Sequence, residues 1–212
     1  FTGTYAPVSR LRELYTQALS LPDAVGLSIA TRPDCVGEEV CALLAELAQQ
    51  ADLTIELGMQ TVFDATAARC NMHHTFADFE RALERLRRMP VSVCVHLIDG
   101  LPGETPEQMV QSARLIGSMG IDAVKLHALH ILRGTPLAET EYSCLTMEQY
   151  VSVVCDQLEV LPPHVVIQRL TGDGKGEDLL APDWSRNKRA VLAAIDRELK
   201  RRDSVQGCRL RS

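Results

Sequence analysis

Polar residues recur at every second position in four apolar stretches, and this alternation limits what the chain can fold into. The stretches are Val25-Gly-Leu-Ser-Ile-Ala-Thr-Arg32, Leu53-Thr-Ile-Glu-Leu-Gly-Met-Gln60, Val91-Ser-Val-Cys-Val-His-Leu-Ile98 and Val124-Lys-Leu-His-Ala-Leu-His130. A period of two puts successive side chains on opposite faces of a strand. One face is then Val, Leu, Ile or Ala. The other carries Ser28 and Arg32; Thr54, Glu56 and Gln60; Cys94 and His96; or Lys125 and His127. A helix-like segment follows each stretch. Strands that alternate with helices belong in parallel sheets, which are normally covered on both faces and apolar throughout. A polar face repeated in four such strands points instead to a barrel whose lumen is a working site.

The rest of the chain supports this order. Residues 1–7 read as a strand end running into a loop. Residues 8–21 form an amphipathic helix with Leu11, Leu14, Tyr15, Ala18 and Leu19 on one stripe. Strand 24–30 leads through a loop at 31–34 to helix 37–50, whose core stripe is Val40, Leu43, Leu44 and Leu47. Strand 53–58, a helical turn at 62–68 and helix 76–89 follow, the last capped by Thr75 with Asp78 at its third position. Strand 91–98 precedes helix 106–119, which has Thr105 as its cap, Pro106 at its first position and Gly120 closing it. Strand 123–129, helix 147–161 capped by Thr146, strand 164–170, a glycine-rich loop at 171–177 and helix 185–202 complete the series. Every strand-to-strand crossover is long enough for a right-handed βαβ unit. The fold class is therefore α/β, and a site in such a barrel lies at the carboxyl ends of the strands.

Composition narrows the function. The 212 residues are 46% hydrophobic, enough for a substantial core. A net charge of -6 gives no electrostatic support for nucleic-acid binding by the domain as a whole. The one basic run, Lys200-Arg-Arg202 with Arg209 and Arg211, is either a local patch or a solvated helix end. No apolar stretch reaches the roughly 20 residues of a membrane span, and no signal peptide is visible. The seven cysteines include no Cys-x-x-Cys pair, and Cys41, Cys94 and Cys155 fall in apolar patterns that read as buried thiols. The odd count fits a reducing, cytoplasmic setting.

Several strand-end residues carry chemistry. Glu56 and Gln60 share a face and suit sugar hydroxyls or an amino group; the alternative is an ion pair in the lumen with Lys125 or Arg32. His96 and His127 on neighbouring strands either bind a metal with Glu56 or serve as hydrogen-bonded core and substrate contacts. His73-His74 is a weak pair, since adjacent residues rarely converge on one ion. Gly100-Leu-Pro-Gly-Glu-Thr105 combines glycines, which admit close backbone approach, with a helix start offering free N–H groups. The same residues also make a tight turn with a cap. The loop at 171–177 lacks the P-loop order and reads as flexible.

Taken together, these residues resemble the radical SAM enzymes, most closely the YhcC-type subfamily. The shared stretches are Thr4-Tyr-Ala-Pro7, Gly26-Leu-Ser-Ile-Ala-Thr-Arg-Pro-Asp-Cys35, Glu56-Leu-Gly-Met-Gln-Thr61, His96-Leu-Ile-Asp-Gly-Leu-Pro-Gly-Glu104 and Lys125-Leu-His-Ala-Leu-His130. Gly134-Thr135, Glu148-Gln-Tyr150, Arg169-Leu-Thr-Gly-Asp173, Ala181-Pro-Asp-Trp-Ser185 and Asn187-Lys188 extend the likeness almost to the end of the chain.

The resemblance implies a partial (βα)6 TIM-like barrel lacking its first strand, with a core at 1–161 and a strand–loop–helix extension at 162–212. It implies an enzyme that uses S-adenosylmethionine (SAM) and a [4Fe–4S] cluster. The cluster cleaves SAM to a 5′-deoxyadenosyl radical, which abstracts hydrogen from a substrate left unassigned here. By motif position, Thr4 and Tyr5 meet the SAM amino-acid group, and Glu56 and Gln60 lie near the ribose. Ile98 and Gly100 lie along the adenine, with Lys125 and His127 on the strand beside it. The subfamily places three cluster cysteines upstream of Thr4-Tyr-Ala-Pro7, so these 212 residues are expected to be a fragment that is inactive alone. Asn71-Met-His-His74 stands where the subfamily has Asn-Arg-Gly-His, so no role is carried over to that loop. A degenerate barrel serving as a binding or scaffold domain is the alternative reading. A metal-dependent lyase or hydrolase using His96, His127 and Glu56 is a third.

Overall fold

The computed structural model describes residues 2–172 and 176–210. In chain order the elements are α1 (Val8–Leu19), β1 (Gly26–Thr31), α2 (Glu38–Leu47), β2 (Asp52–Gln60), α3 (Asp64–Arg69), α4 (Phe76–Leu86), β3 (Ser92–Asp99), α5 (Pro106–Ser118), β4 (Ala123–Ala128), β5 (Ile131–Leu132), α6 (Met147–Val160), β6 (Val166–Arg169), β7 (Leu179–Ala181) and α7 (Lys188–Arg202). Five strands form one sheet in the order β1-β2-β3-β4-β6, with β1 and β2 parallel and Ala30 directly opposite Glu56. The order has two ends, so the barrel is open among the described residues.

The chain divides into two compact units. The first holds the residues up to His96 together with Ile121–Ala123. Its core is one face of β2, Leu53, Ile55, Leu57 and Met59, with Leu43 and Leu44 of α2 and Phe79, Leu83 and Leu86 of α4; all are buried. The opposite face of β2, from Thr54 through Glu56 and Gly58 to Gln60, stays half-exposed. Period-two alternation thus supplies both a core face and an open polar face. Thr75 caps α4 as foreseen, accepting from the Asp78 amide while Asp78 bonds the Thr75 amide.

The second unit holds Leu97–Gly120 and Val124–Ser212. Capping boxes at Thr105 and Thr146 start α5 and α6, and Gly120 follows α5 at φ 66°. Pro182 to Asn187 and α7 depart from the expected single helix from residue 185. Ser185 bonds the Pro182 carbonyl within a 3₁₀ turn (Asp183–Arg186), and the Asn187 side chain instead accepts from Ala190 to start α7 at Lys188. The basic run divides: Lys200 and Arg201 form a solvated helix end, paired with Asp196 and Glu198. Arg202 bonds Glu198, Asp156, Glu159 and Ser152, and Arg209 reaches Asp156 and Glu159, so these two arginines fasten the C-terminal segment to α6. Arg211 lies outside the described residues.

Four other expectations need correction. No strand occurs in residues 2–7, where Tyr5 turns back to Thr2; Phe1 is outside the described residues. Residues 31–34 are not a plain loop, because Pro33–Cys35 winds into a 3₁₀ turn. Leu14 is exposed and Cys41 half-buried, whereas Cys94 and Cys155 are buried. The ribbon of β5 against β7 was not foreseen: two and three residues are too few to show an alternation. Of the loop at 171–177, residues 173–175 lie outside the described residues.

Candidate functional site

The open face of the first unit is organised around Glu56. Its side chain is 13% exposed and that of His96 20%, so neither carries a full water shell. A carboxylate with so little water needs hydrogen-bond donors. Ser28 on β1 donates to Oε1, and His96 Nε2 on β3 lies 2.8 Å from Oε2. Ser28, Glu56 and His96 thus form a row across three strands. Ser28 was visible in the alternation, yet only the fold shows that it reaches Glu56 diagonally, past Ala30.

Gln60 ends the same face in an unusual conformation. Its φ is 67°, a region that non-glycine residues seldom occupy, and the Thr61 amide bonds back to the Met59 carbonyl at 2.8 Å. This is a tight three-residue turn under strain. Gly58 makes room for the Gln60 side chain: a Cβ at residue 58 stands 2.7 Å from Gln60 Nε2. The amide is therefore folded back over the strand, on the side where Glu56 sits.

Thr4 and Tyr5 lie in a separate cleft of about 450 Å³ lined by Thr4, Tyr5, Ala6, Pro7, Asp34 and Cys35. Thr4 is buried; its hydroxyl shares a hydrogen bond with Thr31 and donates to the Cys35 carbonyl at 2.8 Å. That places Thr4 as a strut of the cleft wall. Tyr5 is 78% exposed, with the Arg32 guanidinium 6.0 Å from its ring centre. Arg32 also forks onto Asp34 at 2.9 and 2.7 Å, and this bond holds the Asp34 carboxyl below the usual carboxylate range. Burial pushes the Cys35 thiol up.

In the second unit, Ile98 of β3 and Lys125 and His127 of β4 are half-buried at alternating positions. Gly100 takes φ 84°, and its carbonyl accepts from the Tyr142 hydroxyl. Between Ile98 and Gly100 stands a residue that sequence reading passed over. Asp99 is 2% exposed, and its Oδ1 accepts from Gln157 Nε2 at 2.6 Å. Burial pushes its carboxyl up to about 7, with the Glu104 charge adding to the rise and the Gln157 bond opposing it. Gln157 also donates to the Met109 carbonyl and occupies the apolar stripe of α6. A glutamine on that stripe was the available signal.

His73 is exposed, while His74 is buried beside the Met59 carbonyl. Among the described residues no three His, Cys, Asp or Glu side chains are grouped to hold a metal ion.

The model of the radical SAM superfamily matches residues 4–116, more than half of the chain. This chain belongs to the radical SAM superfamily. The radical SAM C-terminal domain matches residues 121–201. Among curated relatives, the uncharacterised protein YtqA of Bacillus subtilis is 43% identical over 98% of this chain and 66% of its own length. Protein YhcC of Escherichia coli is 36% identical over 99% of this chain and 69% of its own. The chain thus spans about two thirds of the length of these radical SAM relatives. Among solved structures, an N-terminally deleted Elp3 of Methanocaldococcus infernus aligns with a TM-score of 0.70 at 23% identity, covering 82% of this chain and 42% of that one. At that identity the likeness shows the fold.

Proposed function

We propose that the chain forms the SAM-binding part of a radical SAM enzyme, with core residues 1–161 and an extension at 162–212. The observation that supports this most is the half-exposed polar face of β2. A carboxylate fixed by two partners and a strained glutamine stand four residues apart on it. Non-glycine residues at positive φ cost about 1–3 kcal/mol and persist where the site needs them.

The face fits a ribosyl, amine-bearing ligand. Glu56 accepts and the Gln60 amide both donates and accepts, which suits vicinal hydroxyls. Ile98 offers a half-buried apolar surface for a purine, and Gly100, buried against Leu145, makes the turn that follows it. Lys125 and His127 add polar groups on β4. Tyr5 and the cleft around it suit the amino-acid end of SAM, while Thr4 shapes that cleft from within the wall. When bound, SAM supplies the family's hydrogen-abstracting chemistry. The residues here bind and orient it and exclude water from one side.

A [4Fe–4S] cluster finds no such fit, because the described cysteines do not converge. Seven cysteines without a disulfide support a reducing compartment, for which we propose the cytoplasm. Among the described residues no helix is long and apolar enough to cross a membrane.

The test uses the full-length protein, handled without oxygen and given SAM and a strong reductant. Formation of 5′-deoxyadenosine above a no-protein control is expected. Its absence from protein shown to be iron-loaded would count against enzymatic SAM cleavage and favour a binding or scaffold role.

A further inference from the structure

Resting on the SAM-site reading above, we infer that His96 and Ser28 are positioning residues that act through Glu56. Three facts support this division of labour. The three side chains form one row across β1, β2 and β3, and Glu56 is the middle member. Each neighbour takes a different oxygen: Ser28 holds Oε1 and His96 holds Oε2. Glu56 is also the least exposed of the Glu56–His96 pair, at 13% against 20%.

A carboxylate on a strand keeps free rotation about its terminal bond unless both oxygens are engaged. Two donors on opposite sides fix the plane of the carboxylate as well as its position. With Ser28 on one oxygen and His96 on the other, the way the carboxylate faces is set by the protein before a ligand arrives, and a ribose diol meets an oriented acceptor. For His96 to donate, Nε2 must carry the proton, so Glu56 in turn fixes the tautomer of His96. Ser28 needs only its hydroxyl, which makes it the smaller contributor.

A double-mutant cycle on SAM affinity, measured by calorimetry with the full-length protein, tests this. Glu56→Gln is expected to weaken binding at least tenfold, since it alters a hydrogen bond involving a charged group. His96→Leu should weaken it about tenfold, and the Glu56→Gln/His96→Leu double variant should bind no worse than Glu56→Gln alone. His96→Gln, whose amide can still donate to Glu56, should return affinity to within about threefold of wild type. Ser28→Ala should cost about threefold and likewise vanish in the Glu56→Gln background. Losses that multiply in the double variants, or no rescue by His96→Gln, would overturn the inference and make His96 a direct ligand contact. If Glu56→Gln binds SAM like wild type, the SAM-site reading itself falls, and the inference with it. Should His96→Leu fail to fold in a thermal melt, the Ser28→Ala cycle decides the same question.

Discussion

Two carboxylates, one in each unit, illustrate opposite uses of an acid. Glu56 stands on a half-exposed strand face with Ser28 on one oxygen and His96 on the other. Asp99 is sealed at the end of β3, with Gln157 at 2.6 Å on one oxygen and no hydrogen-bond partner for Oδ2 among the described residues. Burial pushes the Asp99 carboxyl up to about 7, against the single Gln157 bond that opposes the rise. Glu56 is built to meet something, whereas Asp99 ties β3 to α6 and, through Gln157, to α5. Residue type alone does not separate these roles. Strand parity and the partner across the fold do.

The largest effect expected from this contrast is on stability against pH. The Asp99 carboxyl lies above its ordinary 3.8 in the folded chain, so its contribution is fully present below about pH 4 and is lost as pH rises through about 7. The size of that loss by pH 8 is about 4 kcal/mol, at 1.36 kcal/mol per pKa unit. Asp99→Asn, which stays neutral, should therefore unfold at higher urea than wild type at pH 8 and at a similar concentration below about pH 4. Equal midpoints for the two proteins at both pH values would show that Asp99 is ionised or solvated in the fold.

Gln157→Leu removes the one side-chain donor seen on Asp99 and should destabilise by about 2–3 kcal/mol at pH 8. At pH 5, where Asp99 is protonated, the cost should shrink to about 1 kcal/mol. A loss independent of pH, read from denaturation at both values, would mean that Gln157 works by packing alone.

Gln60→Gly gives the smallest change in stability and of opposite sign. Releasing a φ of 67° should stabilise the fold by about 1 kcal/mol while weakening SAM binding in the same titration that reads Glu56. A variant that gains stability and keeps full affinity would assign the strain to folding geometry rather than to a ligand.

Much of this was legible before the fold was known, for physical reasons that vary with the element. The five main strands and the capped helices are written locally: alternation in Leu53 to Gln60 fixes its faces, and Thr75, Thr105 and Thr146 each cap within three residues of themselves. The α2 stripe of Val40, Leu43, Leu44 and Leu47 is buried as its spacing predicts. What was not legible depends on distant partners. The bonds that make Thr4 a strut of its cleft are not local, because Thr31 and Cys35 lie 27 and 31 residues away in sequence. Gln157 meets Asp99 across 58 residues; a glutamine on the apolar stripe of α6 hints at a buried partner, but nothing local says which. The conformation of Gln60 needs Gly58 beneath its amide, a relation that the alternation conceals.

The most direct test of the central claim sets the two carboxylates against each other in one assay. SAM is titrated by calorimetry at pH 7 into full-length wild type, Glu56→Gln and Asp99→Asn. The account predicts at least a tenfold weaker Kd for Glu56→Gln and, for Asp99→Asn, a Kd within about twofold of wild type. Unchanged affinity in Glu56→Gln, or a larger loss in Asp99→Asn, would contradict it.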